Sequence, residues 1–542
     1  MKRSYSNLNE HLERLQAAGQ LYTVERSINK DTEMHPLVRW QFRGSIPEQD
    51  RKGFLFTNVT DSKGNNYEDF SVAIGVLASN PEIYGIGMEC SVAEIGKKWL
   101  NAIKNPIAPI EVEEAPIHEL VFTGEDITTP GKGLEKLAIP ISTPGFDIAP
   151  FTTAGLWITK DPETGVQNVG LYRGMLKASD RLGAMMERST LAGGDVHYKK
   201  YKERGEMMPF AVVLGAPPIV EFVGPQKLPI GVDELSVAGG LAGGPIHVVK
   251  AKTVDLLVPS EAQVIIEGYI DTTNVEPEGP FGESHGYMQV EAYNMIANVT
   301  AITRRKKAII TSIISQVTPS ESSVIKKVAY EPLFLDHLRT NLNIKSVKGV
   351  SLHEPLTNLR KFVFITMERN APKTEVWRAL MGVSSYQPAV GKFCIAINDD
   401  INPENVDQVL WAMSYRCNPI KDIQILNYRS QGHAPHTDIE EDESTMLVDA
   451  TLKCDFPPVA LPKQEYMERA KEIWEELGLP SLKPETPWFG YSLGNWNEEW
   501  EAAAKRAVES NWTENGIRSK FFRKESNLTQ HDCPEILGKS WK

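Results

Sequence analysis

The sequence predicts a soluble, multidomain protein of α+β and α/β type, with a barrel-like β core mid-chain and an α/β layer after it. Three observations carry this expectation. The chain has 542 residues, 41% of them hydrophobic, which is material for about three or four domains with buried cores. From about residue 151 to 318, strand-like runs follow one another with few long helical patterns. After about Val324, apolar runs alternate with helical segments instead.

In order along the chain, Ser6 is placed to cap an amphipathic helix. Leu8, Leu12 and Leu15 recur there at helical spacing, and Gly19 stops the run before a strand at 21–24. Between about Asn105 and Pro150, proline, isoleucine and acidic residues accumulate, which reads as a connector with short extended pieces and holds the first domain boundary. Strands are predicted at 155–159, 210–214, 254–258, 264–268 and 308–312, then at 362–365, 393–397 and 423–426. A helix capped by Asn402, with Pro403 in its first turn, carries Val406, Val409, Leu410 and Met413 as a core-facing stripe. Near the end, Trp488, Trp496, Trp500 and Trp512 surround a helix at 495–510, and such aromatics bury against the body or a partner subunit.

A formal net charge of -13 supplies no general attraction to nucleic acid or anionic membrane. The Met1-Lys2-Arg3 start runs into polar sequence, and no apolar run of about 18 residues occurs, so a cytoplasmic protein that neither enters nor crosses a membrane is expected. Cys90, Cys394, Cys417, Cys454 and Cys533 are scattered without CxxC spacing and read as reduced packing residues. The acidic run 438–443, with His433 and His436 upstream, reads as a solvated loop, because a compact acidic run repels itself.

Three clusters point to chemistry. In 277–287, Glu278 and Glu283 stand in a Pro/Gly-rich loop that leaves two carboxylates little freedom; a surface turn with two solvated glutamates is the plainer alternative. In 168–173, strand alternation places Asn168, Gly170 and Tyr172 on one face and Arg173 on the other, where arginine can clamp a carboxylate or phosphate; a turn cap or surface ion pair is the plainer alternative. In 231–244, Asp233 and Glu234 precede Gly-Gly-Leu-Ala-Gly-Gly, which matches neither a P-loop nor a dinucleotide fingerprint.

Taken in order, Asn-x-Gly-x-Tyr-Arg at 168–173, Glu234 after a Gly-Val turn, and Glu-Gly-Pro-Phe-Gly-Glu-x-x-Gly-Tyr at 278–287 resemble the UbiD family of prenylated-FMN-dependent decarboxylases. The resemblance extends to the N-terminal helix, to 391–400 with Val409-Leu410-Trp411-Ala412, and to 446–451. It implies an N-terminal α/β domain (1–110), a split β-barrel flavin-binding domain (111–325), a C-terminal α/β dimerisation domain (326–480) and a Trp-rich C-terminal helical extension (481–542). It also implies prenylated FMN, a divalent metal such as Mn²⁺, K⁺, a flavin prenyltransferase that supplies the cofactor, and a homodimer or homohexamer. Carried over by position, Arg173, Glu278 and Glu283 match the catalytic network. Asn168, Val169, Gly170, Leu171, Tyr172, Arg173, Glu234 and Lys392 match the cofactor site, and Asn168 and Glu234 match two metal ligands. Lys392 has an alternative partner in Asp399 or Asp400. The family's third ligand, a histidine, is missing near Leu191 to Gly193; His197 is the nearby candidate, with an ordinary packing role as its alternative.

The implied reaction is reversible, non-oxidative decarboxylation of a small aromatic, heteroaromatic or α,β-unsaturated carboxylic acid. Losing CO₂ from an sp² carbon needs an electron sink that side chains lack, so a cofactor must carry that step. Arg173 would orient the carboxylate, Glu278 would fix the guanidinium, and Glu283 would return a proton to the vacated carbon. Alternatives are a carboxylated aryl coenzyme A thioester as substrate, or a noncatalytic scaffold subunit of a larger carboxylase. No GxSxG nucleophile motif supports a hydrolase.

Overall fold

The computed structural model describes residues 3–186, 192–228, 231–290, 292–387, 389–429, 443–454, 456, 458–484 and 498–523. The first helix, Leu8–Ala17, buries Leu8, Leu12 and Leu15 as their spacing predicts. Its cap is Asn7 rather than Ser6: Asn7 accepts from the Glu10 N–H while the Glu10 carboxylate reaches back to the Asn7 N–H. Ser6 lies one residue too early and donates to Glu89 instead. Strand Leu21–Val24 follows and opens a four-stranded sheet with Gly53–Phe56, Phe70–Ile74 and, much later in the chain, Ala308–Ser312.

The β-rich middle forms a nine-stranded sheet. Its strands run in the order Gln167–Leu171, Leu156–Lys160, Met208–Leu214, Val264–Glu278, Ala292–Arg304, Arg181–Ala184, Gly174–Ala178 and Phe151–Thr152, with Leu120–Thr123 also paired to Ala292–Arg304. Only Tyr172 and Arg173 separate the first strand of this order from the seventh. Such a link spans at most about 11 Å, whereas six strand spacings in a flat sheet come to about 29 Å. The sheet must therefore curl until its two ends meet at Arg173. Both of its faces are buried: Phe210, Val212 and Leu214 pack in one core, and their alternates Ala211 and Val213 in another.

Two strands differ from expectation. At 254–258, the chain turns first, with Leu256 N–H bonded to Val254 O at 2.9 Å, and the strand is Leu257–Pro259. The strand expected to stop near Gly268 runs on to Glu278, because Ala292–Arg304 pairs with it along that length. Glu278 thus stands on a strand end and not in a loop.

After helix Glu321–Asp336 comes a five-stranded sheet in the order Val347–Leu352, Phe362–Met367, Phe393–Asn398, Glu443–Asp449, Ile423–Arg429. Val363, Ile365 and Met367 pack with Val376 and Leu380 on one face, while Phe364, Ile395 and Ile397 pack with Val409 and Ala412 on the other. The mixed α+β, multidomain architecture is that predicted. Helix Val406–Arg416 is capped by Asn405, not Asn402, whose side chain accepts from the Glu404 N–H in the preceding turn. Its stripe is split: Val409 is buried, but Val406 and Leu410 are 39% and 52% exposed. The tail helix is Glu498–Val508, on which Trp500 is half-buried; Trp512 beyond it is 65% exposed and so does not bury against its own chain. Trp488, Trp496, His433, His436 and Cys533 lie outside the described residues. Cys90, Cys394, Cys417 and Cys454 are free thiols. Among the described residues no helix is long and apolar enough to cross a membrane.

Candidate active site

Arg173 occupies the short link where the curled sheet meets itself. Its guanidinium grips Glu278 with Nε to Oε1 at 2.9 Å and Nη2 to Oε2 at 2.7 Å, a fork that fixes both groups in one plane. The remaining nitrogen, Nη1, donates to Glu283 Oε1. Glu278 is fully buried, and Asn294 from the paired strand donates to its Oε2 at 3.1 Å. Phe281 lies 5.1 Å from Arg173 Cζ and packs on Phe151 with ring centroids 4.4 Å apart. Burial opposes the charge on Arg173, but the hydrogen-bonded Glu278 and the charge of Glu283 outweigh it and hold its pKa above the usual value. Glu283 is held by its backbone: its N–H bonds Tyr287 O and its carbonyl accepts from the Gly286 N–H, both at 3.0 Å. The sequence expectation that two acids are rigidly placed holds for both, through a strand for Glu278 and a turn for Glu283.

A cavity of about 260 Å³ runs from Asn168, His197 and Glu234 to Arg173, Phe281 and Glu283. Glu234 opens helix Glu234–Ala242 behind its cap Asp233, and its Oε2 accepts from the Val169 N–H at 2.8 Å. Burial pushes its carboxyl up to about 7, against that hydrogen bond. Asn168 Nδ2 is buried without a hydrogen-bond partner among the described residues. A Cβ at Gly193 would fall 1.9 Å from Asn168 Oδ1, so the chain leaves that oxygen room only by having glycine there. His197 Nδ1 lies 2.9 Å from Thr159 Oγ1, which fixes the ring. Burial pushes it down to about 4, so the ring is neutral near pH 7, and Nε2 is the nitrogen a metal would take.

Among the described residues no three His, Cys, Asp or Glu side chains converge on one point. The donors at this end are the Asn168 amide, the Glu234 carboxylate and the neutral His197 imidazole, while the Asp161 carboxylate on the same wall is held by Lys200, and phosphate oxygens would complete a shell suited to a hard cation. Of the residues aligned with the family histidine, Leu191 lies outside the described residues, and Ala192 and Gly193 bring no donor. The Gly-rich run is packing, not a phosphate cradle: a Cβ at Gly239 would stand 2.2 Å from Ile107 O.

Lys392 is not brought to this cavity. It pairs with Glu443 at 2.7 Å, because Phe393–Asn398 and Glu443–Asp449 are neighbouring parallel strands, and Asp400 is taken by Arg416. The wall from the C-terminal half is instead Lys326, Tyr330 and Arg360. Tyr330 donates to Pro225 O at 3.3 Å and ties that wall to the loop beside Leu171. Asn294, Gln226, Tyr330 and Arg360 escaped the sequence reading, since an isolated polar residue on a strand, loop or helix carries no local signal.

Residues 110–317 match the family model described as the 3-octaprenyl-4-hydroxybenzoate carboxy-lyase Rift-related domain, and 323–450 match the C-terminal domain of the same carboxy-lyase. An uncharacterized protein of Aquifex aeolicus (strain VF5) is 32% identical over 410 residues, which is 71% of this chain and 80% of that protein. The fold is similar to an evolved dimeric form of the UbiD-class enzyme HmfF from Pelotomaculum thermopropionicum, solved in complex with prFMN. The TM-score is 0.72 and the identity 27%, covering 86% of this chain and 99% of that one. Vanillic acid decarboxylase of Sedimentibacter hydroxybenzoicus in closed form shares the fold, with TM-score 0.73 at 22% identity over 87% of this chain and 99% of that one.

Proposed function

The chain belongs to the UbiD family of carboxy-lyases, and from that premise we propose that it decarboxylates an aromatic, heteroaromatic or α,β-unsaturated carboxylic acid with prenylated FMN. The observation that carries the reading is the Glu278–Arg173–Glu283 network, buried at Glu278 and Arg173 and open to a cavity at Glu283. Support for the flavin comes from HmfF, which was solved with prFMN and with FMN.

When bound, the cofactor supplies the electron sink for the carbon that loses CO₂. The protein supplies position and a proton. Glu278, held on both oxygens and fully buried, fixes the plane of the Arg173 guanidinium. Arg173 then offers its Nη1 side to a substrate carboxylate or to Glu283, one in place of the other. Once the C–C bond to the carboxyl carbon has broken and CO₂ has left without the bond's electron pair, the Glu283 O–H bond breaks and that pair forms the C–H bond at the vacated carbon; solvent reprotonates the Glu283 carboxylate. The same steps reversed allow carboxylation at high CO₂.

Asn168 and Glu234 would hold Mn²⁺, and that ion together with K⁺ would supply positive charge to the cofactor phosphate. His197 is the third side chain available to the metal, on the strength of its fixed ring and its place on the cavity wall. A homodimer or larger homo-oligomer is supported by one feature of the C-terminal sheet: its edge strand Ile423–Arg429 and the residues before it expose Tyr415, Ile420, Ile425 and Tyr428.

The test is turnover in D₂O by protein co-expressed with a flavin prenyltransferase and purified without oxygen, against a panel of aryl, heteroaryl and acrylic acids. Product carrying deuterium on the vacated carbon supports the reading. Turnover restricted to carboxylated aryl coenzyme A thioesters would move the substrate class. A flavin-loaded protein inert to the whole set would return the scaffold reading.

A further inference from the structure

Gln226 is 7% exposed, and neither its Nε2 nor its Oε1 has a hydrogen-bond partner among the described residues. It lines the same cavity as Leu171, Arg173 and Glu283. Its loop is tied on both sides, by the Leu171 N–H to Gly224 O at 3.2 Å and by the Tyr330 hydroxyl to Pro225 O at 3.3 Å. A buried amide that loses water at both its donor and its acceptor is costly unless something in the cavity replaces both.

That requirement narrows the ligand group. A carboxylate or phosphate satisfies the N–H donors and leaves Oε1 bare; an aliphatic group satisfies neither. An imide edge, with an N–H beside a carbonyl, satisfies both at once. The pyrimidine ring of a flavin presents such an edge at N3–H and its flanking carbonyls. We propose that Gln226 is a cofactor-binding residue that pairs with this edge, Nε2 donating to a flavin carbonyl and Oε1 accepting from N3–H. The proposal rests on the flavin reading above. It makes Gln226 the group that sets the in-plane orientation of the ring relative to Arg173 and Glu283.

The test titrates the apoprotein with FMN and with N3-methyl-FMN, following quenching of flavin fluorescence. Wild type should bind FMN about tenfold or more tightly than the N3-methyl analogue, in line with sites built to pair a polar edge. Gln226→Leu, close in volume and apolar, should lose about that factor for FMN and should no longer distinguish the two flavins; Gln226→Met serves if the leucine variant does not fold. A variant that binds FMN as wild type does overturns the assignment. So does wild type that binds the two flavins equally, a result that needs no variant. Wild type that binds neither flavin removes the flavin reading itself and is thereby told apart from a wrong assignment of Gln226.

Discussion

Arg173 and Glu278, 105 residues apart in sequence, meet through two hydrogen bonds of 2.9 and 2.7 Å where the ends of one curled sheet come together. With Glu278 fully buried, removing the arginine alone strands a charge out of reach of water. Arg173→Ala is therefore expected to cost about 3–5 kcal/mol of stability as well as all activity. The double variant Arg173→Met, Glu278→Leu should recover most of that stability and none of the activity. Urea midpoints of the single and double variants check this, and additive losses would contradict it.

Glu283 is assigned the proton delivery, and Glu283→Gln removes the proton with little change of shape. The variant should bind flavin as wild type does and lose about 10²–10⁴-fold in decarboxylation. Flavin occupancy and kcat, measured on one preparation, decide the point.

Lys392 offers a contrast. Its partner is Glu443, its side chain is 38% exposed, and it stands outside the cavity. Lys392→Ala should shift stability by less than about 1 kcal/mol and leave FMN affinity within about twofold. A large loss of flavin affinity in a titration would bring this lysine back to the cofactor.

The metal ligands proposed for this chain carry a prediction of their own. Glu234→Gln keeps the shape and the acceptor for the Val169 N–H but removes the charge. Mn²⁺ affinity, read by electron paramagnetic resonance in the presence of FMN, should fall by about tenfold or more. His197→Ala should lower it too if the imidazole is a ligand, and leave it unchanged if the ring only packs.

Acid sensitivity follows from a buried histidine far along the chain from these residues. Burial pushes His35 from 6.5 down to about 3, with its Nε2 bonded to Ser312 Oγ at 2.8 Å. The unfolded chain takes up a proton below 6.5 and the folded one does not until about 3. Stability from this group is thus present above 6.5 and is lost as pH falls across that window. The expected loss between neutral pH and pH 5 is about 2 kcal/mol. His35→Gln should flatten the pH dependence of the urea midpoint by about that amount; an unchanged slope would show that the ring is protonated in the fold.

Much of this architecture was legible in the sequence because periodicity reports burial. Leu8, Leu12 and Leu15 face inward as spaced, and 308–312 and 393–397 are strands. Motif order groups Arg173, Glu278 and Glu283, and in the fold hydrogen bonds join them. Illegible were features set by pairing over long distances. The extension of Val264–Glu278 depends on Ala292–Arg304, and the tie of Lys392 to Glu443 depends on strand order. Caps shifted for a local reason: Asn7 and Asn405 each reach a free N–H three residues on, which Ser6 and Asn402 do not. Gln226 was invisible because its significance lies in what fails to surround it.

The most direct test of the central claim is the mass and absorption spectrum of the cofactor released from protein co-expressed with a flavin prenyltransferase and purified without oxygen. Prenylated FMN is expected at about one per chain. Folded protein that carries no flavin of any kind, despite the prenyltransferase, would contradict it.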